Sequence, residues 1–152
     1  MAPVVALLMG SESDRDKVGP AEETLRKMGV EVISEVISAH RQPEKLRHFV
    51  REAPGRGVEV FIAAAGMAAH LPGVVASLTT LPVIGVPLSA GNLGGLDALL
   101  SIAQMPRGVP VATVAVDGAV NAALLACAIL ALKYEEVAEG WRSFREQMAG
   151  KV

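Results

Sequence analysis

The chain has 152 residues and a formal net charge of −2 at pH 7; 51% of its residues are hydrophobic but only 3% are aromatic. That length suits one domain, residues 1–152, with a sizeable aliphatic core. Near-neutral charge gives no field for a polyanion, and the scarcity of rings gives no stacking platform, so nucleic acid is excluded as a partner.

Five valine- and isoleucine-rich runs set the frame. The first, "PVVALLM" (Pro3–Met9), is apolar throughout, as a strand covered on both faces should be. "GSESD" follows it, Gly10 to Asp14. Gly10 permits close backbone approach, Ser11 and Ser13 offer hydroxyls, and the start of the next helix favours an anion. Asp14 either caps that helix or accepts hydrogen bonds from a ribose diol. The lysine of a Walker A loop and the spacing of a dinucleotide fingerprint are absent here. Pro20 is expected to bend a helix opening at Asp14, or to mark a clean helical start after an irregular lead-in.

The second run, "VEVISEVI" (Val30–Ile37), alternates with Glu31 and Glu35 and suits a sheet edge. "SAHR", Ser38 to Arg41, comes next. Arg41 can grip a phosphate in bidentate fashion or be a plain surface arginine. His40 can give and take a proton near neutral pH, or stand idle in its loop. "PEKLRHFVREA" spaces its apolar residues three and four apart, as a one-faced helix does, and carries a solvent-facing His48. The third run, "VEVFIAAA" (Val58–Ala65), leads into "AGMAAHLPG", in which His70 caps or braces a turn.

"LPVIGVPL" (Leu81–Leu88), "SAGNLGG" and "VPVATVAV" (Val109–Val116) complete the strand series, and "DGAVN" follows the last of them. Strands alternating with helices imply an α/β three-layer sandwich around a five-stranded parallel sheet, flavodoxin-like with order 2-1-3-4-5. Ligands bind such sheets at the carboxyl ends of the strands, where these loops gather. "GAVNAALLACAILAL" (Gly118–Leu132) is apolar on almost every side, more than one small domain can bury, so its excess is expected to pack against other copies of the chain. A charged helix follows, in which Gly140 costs about 1 kcal/mol against alanine and Trp141 and Phe144 are expected to pack on a neighbour. Helices over about 118–149 thus contribute to an oligomer.

Cys127 is the single cysteine and reads as a small buried hydrophobe; with three scattered histidines it offers no metal set. The longest apolar run, Ala122 to Leu132, is shorter than the roughly 20 residues of a membrane span, and the first residues lack the basic region of a signal peptide. A cytoplasmic protein with no membrane contact is expected.

"MGSESD", "SAHRQP", "AAHLPG" and "SIAQMPRGVPV", in that order, resemble the N5-carboxyaminoimidazole ribonucleotide mutase class of the phosphoribosylaminoimidazole carboxylase catalytic-subunit family. The resemblance runs from about residue 4 to about residue 132. It implies an isomerase of purine biosynthesis, acting on a small ribonucleotide through a trapped CO2, as a homo-octamer with no cofactor or metal. It makes His40 the general acid and base. Ser11 and Asp14 would hold the ribose and polar groups, and Ser13 and Arg41 the phosphate. Ser38, Ala39, Gly66 and Leu71 would hold the base and carboxylate, and His70 joins the substrate-binding set. Ala64 and Met67 stand where the family often has glycine, and the fourth loop lacks the family's frequent glutamine. A carboxylase using CO2 directly is the nearest alternative. A receiver-like or nucleotide-binding module is a distant one, since Ala65-Gly66 and Asp117-Gly118 replace the aspartate and lysine a receiver needs.

Overall fold

A computed structural model describes residues 1–151. Its sheet is parallel, with strands β1 (Val4–Met9), β2 (Glu31–Val36), β3 (Val58–Gly66), β4 (Val83–Leu88) and β5 (Ala112–Thr113) in the order β2-β1-β3-β4-β5. This is the flavodoxin-like order expected, with β2 at an edge. The helices are α1 (Arg15–Lys27), α2 (Pro43–Glu52), α3 (Leu71–Leu78), α4 (Leu96–Ala103), α5 (Ala119–Leu130) and α6 (Glu135–Ala149).

Successive strand residues point to opposite faces, so each strand feeds two cores. Val5, Leu7, Met9, Val60, Ile62, Ile84 and Val86 pack with α1 and α5; Val4, Ala6, Leu8, Phe61, Ala63 and Val83 pack with α2, α3 and α4. Every residue of β1 and β4 is buried, whereas β2 is only partly covered. α1 and α2 pack inward through stripes at helical spacing: Val18, Ala21 and Leu25 on α1, and Leu46, Phe49 and Val50 on α2. Pro43 opens α2, where its missing N–H costs nothing.

Two expectations change. The strand expected over Val109–Val116 pairs only through Ala112–Thr113. Pro87 is the reason at the carboxyl end. Its carbonyl faces the fifth strand and accepts from the Asp117 N–H at 2.8 Å, but it has no N–H to extend the ladder on that side. Pro20 lies inside α1, which starts at Arg15 after a short 3-10 turn and runs through the proline. A clean start at Pro20 does not describe the element, because the helix already holds Val18 in the core before the proline is reached.

Gly140, inside α6, faces α1: a Cβ there would lie 3.2 Å from Met28 Sδ at the end of that helix. Trp141 and Phe144 stack on one another, centroids 6.1 Å apart, with the Arg145 guanidinium 5.5 Å from the Trp141 ring. Cys127 is buried in α5, and burial pushes its thiol up to about 11.

Gly85 is the tightest glycine of the sheet. A Cβ there would meet Ile102, lie 2.9 Å from Val111 Cγ1 and 3.3 Å from Pro72 Cβ. Gly85→Ala is expected to destabilise the fold by about 1–3 kcal/mol through overpacking. Urea unfolding measures this; an unchanged midpoint would show that α4 shifts without cost.

Candidate functional site

The carboxyl ends of β1, β2, β3 and β4 open into one cleft of about 360 Å³, within the range of small-molecule sites. All ten residues singled out from the sequence line it. Ser11, Ser13 and Asp14 come from the first loop; Ser38, Ala39, His40 and Arg41 from the second; Gly66, His70 and Leu71 from the third. Gly10, Ala65, Met67, Ala68 and Ala90 complete the wall. His48 and the loop after β5 are not part of it. Among the described residues, no three His, Cys, Asp or Glu side chains come together as metal ligands.

The first loop is held by its own hydroxyls. Ser11 Oγ accepts from the Ser13 N–H at 3.3 Å and lies 2.9 Å from Ser13 Oγ. This ST-turn starts the 3-10 turn that leads into α1. Asp14 occupies the N-cap of α1, yet its side chain makes no cap bond. Of the two readings open in the sequence, capping is the one its geometry lacks. Burial pushes the Asp14 carboxyl above its usual range, offset in part by the Ser11 N–H and the Lys17 ammonium. A Cβ at Gly10 would meet nothing within 4 Å, which leaves this floor of the cleft open.

The raised pKa has a consequence for stability. The folded state binds the Asp14 proton more tightly than the unfolded chain does, so above the folded value the ionised carboxylate opposes folding. Asp14→Asn is expected to raise the thermal midpoint at neutral pH. The gain should fade as pH drops through the raised folded value toward 3.8, the unfolded value, below which both states are protonated. Melting curves across that range decide it; a midpoint lowered at neutral pH would contradict the sign.

The second loop is a closed turn. The Gln42 N–H donates to Ser38 O at 2.8 Å, the Ser38 N–H donates to Gln42 Oε1 at 3.2 Å, and the Arg41 N–H donates to Ser38 Oγ at 3.2 Å. Ala39 and His40 are thereby presented at the apex. Gln42 carries this support, and its neighbours in sequence give no sign of it. The Arg41 guanidinium makes no ion pair among the described residues.

His40 Nε2 lies 2.5 Å from His70 Nδ1, the rings edge to face with centroids 4.6 Å apart. At this contact one ring nitrogen donates and the other accepts, and the tautomers set which does which. His70 stands at the N-cap of α3 without a side-chain cap bond. Its imidazole turns to His40 rather than bracing its own turn. The third loop presses on the fourth: a Cβ at Gly66 would lie 3.0 Å from Ala90 Cβ. Met67 has φ 52, a left-handed backbone that its side chain opposes, and its sulfur would lie 3.1 Å from a Cβ at Gly91.

A sequence-family model for AIR carboxylase matches residues 4–151. The chain is 56% identical over 150 residues to a protein of Saccharolobus solfataricus named N5-carboxyaminoimidazole ribonucleotide mutase, covering 99% of this chain and 95% of that one. It is 50% identical over 154 residues to the protein of the same name from Pseudomonas aeruginosa, covering 100% and 94%. Among solved structures, Treponema denticola PurE superposes with a TM-score of 0.90 at 31% identity, covering 98% of this chain and 93% of that one.

Proposed function

The chain belongs to the AIR carboxylase family, and from that premise we propose that it is an N5-carboxyaminoimidazole ribonucleotide mutase of purine biosynthesis. It moves a carboxylate from the exocyclic nitrogen of the aminoimidazole to ring carbon C4. The observation that carries the reading is the convergence of all ten candidate residues on one cleft with His40 at its rim.

The chemistry follows from the groups present. The N-carboxylate leaves as CO2 while the nitrogen takes up a proton. C4 of the enamine-like ring then attacks the CO2, and His40 removes the C4 proton to restore aromaticity. One group that gives and takes a proton suffices, so no proton is gained or lost overall. CO2 must stay beside C4, and the small residues Ala39, Ala65, Gly66, Ala68 and Ala90 leave room for it without offering it a bond.

Arg41, a cation without a carboxylate partner, takes the phosphate with Ser13. Ser11 and Asp14 take the ribose and nearby polar groups. Ser38, Ala39, Gly66, His70 and Leu71 contact the base and its carboxylate. The assembly is a homo-octamer, and neither metal nor organic cofactor takes part.

A two-substrate assay tests the reading. Turnover is expected with N5-carboxyaminoimidazole ribonucleotide and not with aminoimidazole ribonucleotide plus bicarbonate. Turnover with the second pair alone would make the protein a direct carboxylase instead.

A further inference from the structure

The fourth loop is the weak wall of the cleft by composition. "SAGNLGG", Ser89 to Gly95, holds three glycines in left-handed backbone, at φ 66, 60 and 92. Such a segment has many alternatives to its native path. Among the described residues, Ser89 alone of these seven makes a side-chain hydrogen bond, yet the next residue, Ala90, lines the cleft so close to Gly66 that a Cβ added there would lie 3.0 Å from its own.

Ser89 is fastened from two sides. Its N–H donates to Asp117 Oδ1 at 2.9 Å, and its hydroxyl donates to Asp117 Oδ2 at 2.5 Å. The Lys17 ammonium donates to Ser89 Oγ at 3.0 Å and also to the Ser89 carbonyl. Asp117 reaches back from the loop after β5 through a left-handed residue, φ 58, which aspartate tolerates better than most. Lys17 stands on α1, three residues beyond Asp14 of the opposite wall. The three residues come from separate parts of the chain, none lines the cleft, and Lys17 and Asp117 converge on Ser89, the residue before Ala90.

We propose that Lys17, Ser89 and Asp117 are positioning residues that hold Ala90 against Gly66 and so seal the cleft against loss of CO2. The inference rests on the mutase reading. With the seal intact, CO2 released from the substrate nitrogen is captured by C4. With it loosened, CO2 diffuses away and leaves aminoimidazole ribonucleotide, the nitrogen having kept its proton. The seal therefore governs how substrate divides between isomerised product and decarboxylated by-product, a quantity that a purely structural tie would not move.

The test compares Lys17→Met, Ser89→Ala and Asp117→Asn with the starting protein. Product and aminoimidazole ribonucleotide are quantified per substrate consumed, above the spontaneous background, with melting curves alongside. The by-product fraction is expected to rise about three- to tenfold, the factor one lost hydrogen bond covers, and Lys17→Arg is expected to restore it in part. Lys17 is exposed, so its variants fold even if the others do not. An unchanged by-product fraction in Lys17→Met, whatever its rate, would overturn the proposal while leaving the mutase reading intact. If the starting protein does not turn over the carboxyamino substrate at all, the reading itself fails and takes the seal with it.

Discussion

His40→Asn is expected to lower turnover by about 10²–10⁴-fold, the span that general acid–base catalysis by one side chain covers, while the dissociation constant for the nucleotide product changes little. Asparagine keeps a polar amide at the apex of the second loop but can neither give nor take a proton at working pH. The Ser38–Arg41–Gln42 turn does not depend on the imidazole, because its bonds run between backbone and the Ser38 and Gln42 side chains. The variant therefore presents Ser38 and Ala39 as before, and the loss falls on kcat. His70 keeps its place at the head of α3 through the bond from the Val74 N–H to its carbonyl, 2.9 Å. Steady-state kinetics and product binding measure the two quantities separately. Turnover within about tenfold of the starting protein would remove His40 from proton transfer and shift attention to His70, the other imidazole at that 2.5 Å contact.

The parts of this molecule that one stretch of chain dictates were legible in its sequence. β1 and β3 read as nearly unbroken apolar runs because both their faces are covered, and β2 betrayed its edge position through Glu31 and Glu35, whereas the fifth run read as covered in the same way and yet forms a two-residue edge strand. The cleft followed from the rule that parallel sheets bind at their carboxyl ends, since each loop of small and hydroxyl residues had only to be placed after its strand. What remained hidden was set by partners remote in sequence. Pro87 on the neighbouring strand limits the carboxyl end of β5, and nothing within "VPVATVAV" announces that limit. His70 read as a turn residue because its partner lies 30 positions away, and nothing near Lys17 in sequence points to Ser89, 72 positions on. The loop after β5 stood with the others at the rim in sequence. In the fold, the left-handed Asp117 turns it onto Ser89, behind the wall rather than in it.

Glutamate in place of Leu96 and Leu100 together, or in place of Leu125, is expected to abolish assembly while leaving the subunit folded. α5 looked apolar on nearly every side, and the subunit buries Ala119, Ala122, Ala123, Leu124, Ala126, Cys127 and Leu130 of its 12 residues. Val120 and Leu125 remain 39% and 36% exposed. On the opposite face of the sheet, α4 buries Ala98 and Ile102 but leaves Leu96 and Leu100, one turn apart, 54% and 50% exposed. Both helices pack over β4, beside the edge where β5 supplies only two paired residues. Exposed leucines flanking a short sheet edge are what a monomer avoids and what a subunit contact covers. Burying one leucine side chain contributes about 1.5–3 kcal/mol, and in a closed symmetric assembly every substitution recurs in each subunit. A single buried glutamate is therefore repeated at every equivalent contact, where its desolvation adds to the lost burial. Light scattering should report about eight times 15.8 kDa for the starting protein and a much smaller particle for the variants, with unchanged far-UV circular dichroism. A starting protein that is monomeric, or variants that keep the full mass, would mean that these leucines face solvent in the working enzyme.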